Sequence, residues 1–179
     1  MHDGLHHTRL HSPDQAAACN ASCLSTDVGQ LVNPNNVRRR TKILDTALVI
    51  LQAANGHSVT VRALLDPGAE ESYVTEQLSQ TLALLRERAD MIISGVSCTT
   101  TAVAKCRVNL CLKSTKDTNF CIDFSALVLR KLTHLAPRRQ VIVEDWATFH
   151  GLCFADHEWD KPSHIDCILD TEIYACVIH

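Results

Sequence analysis

The chain has 179 residues, enough for one folded domain with terminal extensions. Hydrophobic residues make up 46% and aromatic residues only 4%, so a core of aliphatic side chains is expected. The formal net charge of −3 argues against a strongly basic nucleic-acid-binding domain, and nucleic acid is therefore not an expected partner. Because no run approaches about 18 consecutive apolar residues and the first residues lack signal-peptide features, neither a membrane span nor secretion is expected.

The first 41 residues predict a disordered linker. They are rich in His, Ser, Asn, Asp and Gln and show no sustained apolar periodicity. Arg38, Arg39 and Arg40 end the segment, and a basic run this short is typical of a solvated linker rather than a nucleic-acid patch. The folded domain is predicted over residues 42–179.

The nine cysteines do not predict a disulfide framework, because their number is odd and no secretion signal precedes them. A reducing, cytoplasmic compartment is therefore expected. Cysteines in apolar segments usually pack as small hydrophobic residues. This interpretation covers Cys106, Cys111, Cys121, Cys167 and Cys176.

No metal site or cofactor is expected from the remaining ligand-type residues. Four histidines in the second half of the chain follow no metal-ligand spacing and are interpreted as surface or half-buried residues. They are His134, His150, His157 and His164.

The domain is predicted to open with a β-hairpin. Thr46 to Gln52 is rich in Leu, Val and Ile, and Ser58 to Leu65 alternates, with Val61 and Ala63 on one face. Between them, Asn55-Gly56 predicts a type I′ turn, in which both residues have positive φ. The second strand leads directly into Asp66-Pro67-Gly68.

The rest of the domain is predicted to be mostly β, with one helix in the middle and one at the end. The middle helix is expected from Ser72 to Leu84, capped by Ser72. Further strands are expected at Met91–Val96, Ala102–Lys113, Phe120–Leu129 and Ile165–Leu169, followed by a helix at Glu172–Ile178.

Asp66 is the main candidate for chemistry. An apolar strand carries this single carboxylate into a glycine-containing turn, which holds it in place and lets backbone amides approach its oxygens. Asp-Pro-Gly is also common in ordinary tight turns, so the local pattern by itself leaves a structural interpretation open.

The segment from Val61 to Val74 resembles the active-site region of retroviral-type aspartic proteases, and in more detail that of Pao/BEL retrotransposon polyproteins. That family has an apolar strand, Asp-Ser-Gly and a following Leu-rich helix. Later blocks of the chain continue the resemblance in order: Gln77-Leu78, Thr81-Leu82, Leu84, Phe124–Leu129, Lys131–Thr133, Leu152–Asp156 and Pro162–Leu169. The fold that the resemblance implies is a retropepsin-like acid-protease half-barrel with a central helix and a short C-terminal helix.

The resemblance implies an aspartic endopeptidase that cuts a retrotransposon polyprotein as a homodimer. Asp66 of each subunit would supply one of two carboxylates that share a proton, one activating water and the other donating to the scissile carbonyl. The other implied site residues are the active-site turn Pro67, Gly68 and Ala69, the substrate-cleft residues Glu70 and Glu71, and the flap candidates Gly95 and Val96.

Two residues depart from the family pattern. Pro67 stands where the family has Thr or Ser, and Asp170 stands where it has Gly. Both departures favour an alternative, a catalytically inactive interaction domain of the same fold from a degenerate or domesticated retroelement. Asp156 and Asp166 are interpreted as structural residues that cap turns.

A shorter resemblance lies at the N-terminus. His6 and His11 have the spacing of the last two ligands of the zinc knuckle that often precedes the protease in Pao/BEL polyproteins. The two cysteine ligands are missing, so residues 1–41 are expected to carry only a remnant of a knuckle tail and to bind no metal.

Overall fold

The computed structural model describes residues 43–95, 100–142 and 153–178. The predicted linker over residues 1–41 and its histidines therefore lie outside the described residues. The described part contains seven strands and two short helices. In chain order they are β1 Thr46–Gln52, β2 Ser58–Leu65, β3 Ser72–Thr75, α1 Glu76–Thr81, β4 Arg86–Ser94, β5 Thr100–Ser114, β6 Cys121–Leu129, β7 Cys167–Leu169 and α2 Thr171–Val177.

The strands form one sheet that closes on itself. Its order is β1-β2-β7-β3-β6-β5-β4, and an additional pairing joins β1 to β5. Six strands therefore make a ring, and β4 extends outward from β5. Most neighbours are antiparallel, but β7 runs parallel to β2, and β3 runs parallel to β6. The mostly β fold class is thus confirmed.

Side chains alternate between the two faces of this ring, as strand geometry requires. Residues from all six ring strands form an inner core, to which α1 and α2 contribute. Its members are Ala47, Val49, Leu51, Ala53, Val61, Ala63, Val74, Leu78, Leu82, Leu84, Val108, Leu110, Leu112, Ala126, Val128, Cys167, Leu169 and Ile173. The predicted face of Val61 and Ala63 is therefore confirmed.

A second, outer core covers part of the ring from outside. It takes the alternate residues of the same strands, together with residues of loops and of the β4–β5 hairpin. Its members are Leu64, Ala69, Tyr73, Ile93, Ala104, Leu127, Ala136, Ile165 and Ile168. Burial on both faces explains why the central strands appear in the sequence as near-continuous apolar runs.

The β1–β2 hairpin has the predicted strands but a different turn. The amide of Ala53 donates to the carbonyl of His57, and the amide of Gly56 donates to the carbonyl of Ala53. Gly56 has a φ of +86°, whereas Asn55 does not have positive φ. The prediction of a type I′ turn is wrong, and the loop instead has three residues with glycine in the left-handed position.

The middle helix is shorter than predicted and begins later. Ser72 to Val74 belong to β3 rather than to a helix, and Thr75 is the residue that caps α1, accepting from the amide of Leu78 at 3.2 Å. Ser72 therefore does not cap this helix. The short strand escaped prediction because its apolar spacing merges with that of the helix behind it.

The other predicted elements are present with shifted ends. The strand predicted at Met91 begins at Arg86, and the strand predicted at Ile165 begins at Cys167. The C-terminal helix is confirmed as α2. Within the described part of the chain, neither helix is long and apolar enough to span a membrane.

The cysteines divide into two groups. Cys167 is fully buried in the inner core and Cys106 packs against it, as predicted for small hydrophobic residues. The same prediction is wrong for Cys121 and Cys176, which are exposed. Neighbouring residues along a strand point to opposite faces, so the apolar residues next to Cys121 do not predict that Cys121 itself is buried.

Candidate active site

Asp66 lies at the end of β2, where the ring gives way to a turn. Its amide donates to the carbonyl of Leu169 at 3.0 Å, which continues the parallel pairing of β2 with β7. The residue is only 7% exposed. The position of the carboxylate is therefore fixed by the ring itself rather than by a free loop.

The turn that follows wraps backbone amides around Asp66. The amide of Gly68 donates to Oδ1 of Asp66 at 2.9 Å, and the amide of Ala69 donates to the carbonyl of Asp66 at 3.1 Å. Pro67 occupies the second position of this turn, where its fixed φ is favourable and its missing N–H is not used. The departure at Pro67 therefore suits the local backbone.

Asp170 supports the turn from behind. Its Oδ1 accepts from the amides of Glu172 and Ile173 at 2.9 and 3.1 Å, so it caps α2. Its Oδ2 accepts from the hydroxyl of Ser72 at 2.7 Å, and its own amide donates back to that hydroxyl. The sequence marked this residue only as a departure from the family pattern, whereas the structure makes it a helix cap.

The backbone next to Asp170 also reaches the active-site turn. The amide of Thr171 donates to the carbonyl of Ala69 at 3.1 Å. The start of α2, the start of β3 and the Asp66 turn are thus tied together by hydrogen bonds. A glycine at position 170 would lack the cap and the carboxylate that accepts from Ser72, and would keep only the amide that donates to that hydroxyl.

The two predicted cleft residues have different surroundings. Glu70 is exposed, whereas Glu71 accepts from Nη2 of Arg107 with both carboxylate oxygens, at 3.1 and 3.0 Å. This ion pair links the end of the turn to β5. A role for either residue in binding substrate stays a prediction.

A second buried carboxylate, Asp156, is held by a cation on the same strand as Asp66. Nε of Arg62 lies 2.6 Å from its Oδ2, and Thr46 donates to the same oxygen at 2.8 Å. Oδ1 accepts from Nη2 of Arg62 at 3.2 Å and from the amide of Glu158 at 2.9 Å. The structural interpretation of Asp156 is confirmed.

Arg62 makes further bonds that fix the loop beside the ring. Its Nη1 donates to the carbonyls of Ala136 and Lys161, and its Nη2 to the carbonyl of Glu158. This network was not predicted from the sequence. An arginine inside an apolar strand was the available signal, because a buried guanidinium needs a partner.

Asp166 occupies an intermediate environment. Its amide donates to the carbonyl of Arg62, and its carbonyl accepts from the amide of Thr75. Partial burial raises the pKa of its carboxyl, against the opposing effects of His164 and of a hydrogen bond with Thr75. Through these backbone hydrogen bonds Asp166 links β2 to β3, in agreement with a structural role.

The proposed flap region is an antiparallel hairpin of β4 and β5, one face of which packs in the outer core. Ile93 and Ala104 share that core with Ala69 of the active-site turn. On the other face, the paired residues Ile92 and Val103 are 65% and 52% exposed. Gly95 is buried at the end of β4, and the second flap candidate, Val96, lies outside the described residues.

No family model and no curated protein matches the chain. Among solved structures, the chain is similar to EIAV protease complexed with the inhibitor HBY-793, at 19% sequence identity and a TM-score of 0.39. The match covers 54% of this chain and 84% of the other. A likeness this weak does not assign a family.

Proposed function

We propose that this chain is an aspartic endopeptidase with a retropepsin-like fold, active as a homodimer that contributes one Asp66 from each subunit. The observation that carries the proposal is the placement of Asp66. A nearly buried carboxylate stands at a strand end, and the backbone amide of Gly68 donates to one of its oxygens. This is the geometry that a proton-sharing pair of carboxylates needs from each partner.

The chemistry follows from two such residues brought together by a twofold axis. Two carboxyls about 3 Å apart share one proton, so one is ionised and one is protonated. The ionised group takes a proton from water, and the protonated group donates to the carbonyl of the scissile bond. Since the pair titrates as a unit, its acid and base are not assigned to one subunit or the other.

The substrate class that we propose is an extended segment of a retrotransposon polyprotein of the Pao/BEL type. The β4–β5 hairpin is the candidate flap, and its exposed pair Ile92 and Val103 offers an apolar face to a peptide. Glu70 and Glu71 stand beside the turn as cleft residues. Lid segments of this kind exclude water and hold the substrate in place. A reducing, cytoplasmic setting belongs to the same proposal.

The decisive experiment compares the full chain with Asp66→Asn on a mixed peptide library at pH about 5, where a shared-proton pair is active. The asparagine side chain keeps an oxygen for the Gly68 amide but cannot act as acid or base. We expect cleavage by the parent and a loss of at least about 1,000-fold in the variant. Sedimentation of both proteins measures the dimer, and circular dichroism measures the fold.

A folded parent that cleaves nothing would overturn the enzyme proposal. It would leave the alternative, an interaction domain with the same fold. Cleavage that survives Asp66→Asn would assign the activity to another residue or to a contaminant. Cleavage by a parent that sediments only as a monomer would overturn the homodimer.

A further inference from the structure

The hairpin of β5 and β6 carries a group of metal-ligand side chains far along the sheet from the Asp66 turn. Sγ of Cys111 and Sγ of Cys121 lie 2.7 Å apart. The carboxylate of Asp123 joins them, and one ligand atom from each of the three residues lies within 4.8 Å of the others. Among the residues that the structure describes, these three are the one set of at least three His, Cys, Asp or Glu side chains whose ligand atoms lie this close together.

We propose that Cys111, Cys121 and Asp123 bind a thiophilic divalent cation, with Zn²⁺ as the best fit, in an open three-ligand site. Two thiolates and one carboxylate are a donor set that Zn²⁺ accepts, with a water or an external ligand in the fourth position. In a tetrahedral site with Zn–S bonds of about 2.3 Å, the two sulfurs stand about 3.8 Å apart. The two sulfurs, 2.7 Å apart, would have to separate by about 1 Å through side-chain rotation to reach that geometry.

The strand register favours a metal over a disulfide. Cys111 stands directly opposite Asp123, and Cys121 stands opposite Lys113, so the two cysteines are diagonal neighbours. Diagonal positions on paired strands are generally about 7–8 Å apart, longer than the separation of about 4.4–6.8 Å that disulfides usually span, although the two sulfurs themselves are in contact at 2.7 Å. A disulfide would also leave Asp123 without a role, whereas a cation uses all three residues.

The structure around the site is hydrogen-bonded on both sides of β5 and leaves room for the cation. The turn between the two strands is ordered by Ser114, whose hydroxyl accepts from the amides of Lys116 and Asp117 at 3.0 Å. β5 is also paired with β1 on its other side, where Gln52 stands opposite Cys111. The three ligands line an open depression of about 800 Å³, which gives solvent and a fourth ligand access to the metal.

The test is Co²⁺ binding by the full chain, reduced and freed of metal, with Zn²⁺ as competitor. Thiolate ligation gives cobalt a charge-transfer band that histidine ligation does not, so the His-rich N-terminus does not interfere. We expect the band in the parent, its loss in Cys121→Ser, and affinity lower by at least about 10-fold in Asp123→Asn. Zn²⁺ at about 100 times its Kd should raise the parent's Tm by about 5–10 °C.

Two control variants decide where the metal binds. The double variant Cys19→Ser and Cys23→Ser, and the single variant Cys176→Ser, should bind cobalt like the parent. Asp66→Asn should also bind it, because the site is independent of the proposed protease activity. A folded parent without the band overturns the site. A band that persists in Cys121→Ser also overturns the site. So does a parent that forms a Cys111–Cys121 disulfide and takes up no cobalt once that disulfide has been reduced.

Discussion

Asp66 and Asp156 are both nearly buried carboxylates, at 7% and 1% exposure, yet they meet different surroundings. Asp156 receives a guanidinium, a hydroxyl and an amide. Asp66 receives the amide of Gly68 at a turn. The two carboxylates therefore differ in the partners that the fold supplies, a buried guanidinium for Asp156 and the amide of a strand-end turn for Asp66.

The largest effect on stability is expected from Asp156→Asn. The substitution leaves the buried guanidinium of Arg62 without its counter-charge, and breaking such a pair costs about 3–5 kcal/mol of unfolding free energy. Urea denaturation measures this change. Asp90→Asn is the matched control, because the exposed pair of Arg88 and Asp90 should contribute less than about 1 kcal/mol.

The same measurement on Asp66→Asn sharpens the comparison. Its unfolding free energy should stay within about 1 kcal/mol of the parent value, because the asparagine oxygen still accepts from Gly68. Equal losses in the Asp156 and Asp66 variants would contradict the distinction between the two carboxylates.

A smaller effect is expected from Asp170→Ala. The variant loses the cap of α2 and leaves the buried hydroxyl of Ser72 without its acceptor, at a combined cost of about 2 kcal/mol. Because Thr171 bonds to the carbonyl of Ala69, we also expect slower peptide cleavage from a looser Asp66 turn. Cleavage kinetics and thermal unfolding measure the two effects.

Asp170→Asn is the control for that prediction, since asparagine is an equally good cap. It should restore most of the stability and the cleavage rate. An alanine variant as stable as the parent would show that the cap contributes nothing to the site.

The smallest effect is expected from Asp166→Asn and depends on pH. Burial raises the pKa of the Asp166 carboxyl above its ordinary value of 3.8, so the folded state penalises the ionised form. The penalty is present above the raised pKa and disappears below the ordinary one. The variant should therefore raise the Tm at pH 7, by less than about 3 °C, and the gain should vanish as the pH falls toward 3.8.

A thermal scan of both proteins across this pH range checks the sign. A gain of the same size at every pH would attribute the effect to packing rather than to ionisation. A lower Tm at pH 7 would show that the hydrogen bond with Thr75 matters more than burial.

The sequence predicted the regular strands well because their alternation is a local property. β1 and β2 have the predicted residues, and Val108, Leu110 and Leu112 of β5 lie together in the inner core. The prediction failed at β3, where four buried residues show no alternation between buried and exposed positions. Strand prediction rests on that alternation, and a strand buried on both faces lacks it.

The surroundings of Asp66 were only partly predictable. The strand, the turn and the carboxylate follow from neighbouring residues, whereas Asp170 and Ser72 are far apart in the chain and meet only in the fold. The pair of Arg62 and Asp156 is distant in the same way. No periodicity within either segment signals a partner so remote, so these contacts had to come from the structure.

The parallel pairing of β2 with β7 has a consequence for biosynthesis. The Asp66 end of β2 pairs with β1 on one side but lacks its parallel neighbour until Leu169 is made, roughly 100 positions later in the chain. At ribosomal speeds of about 5–20 residues per second, that interval lasts roughly 5–20 s. A nascent chain therefore carries the carboxylate long before it carries the finished site.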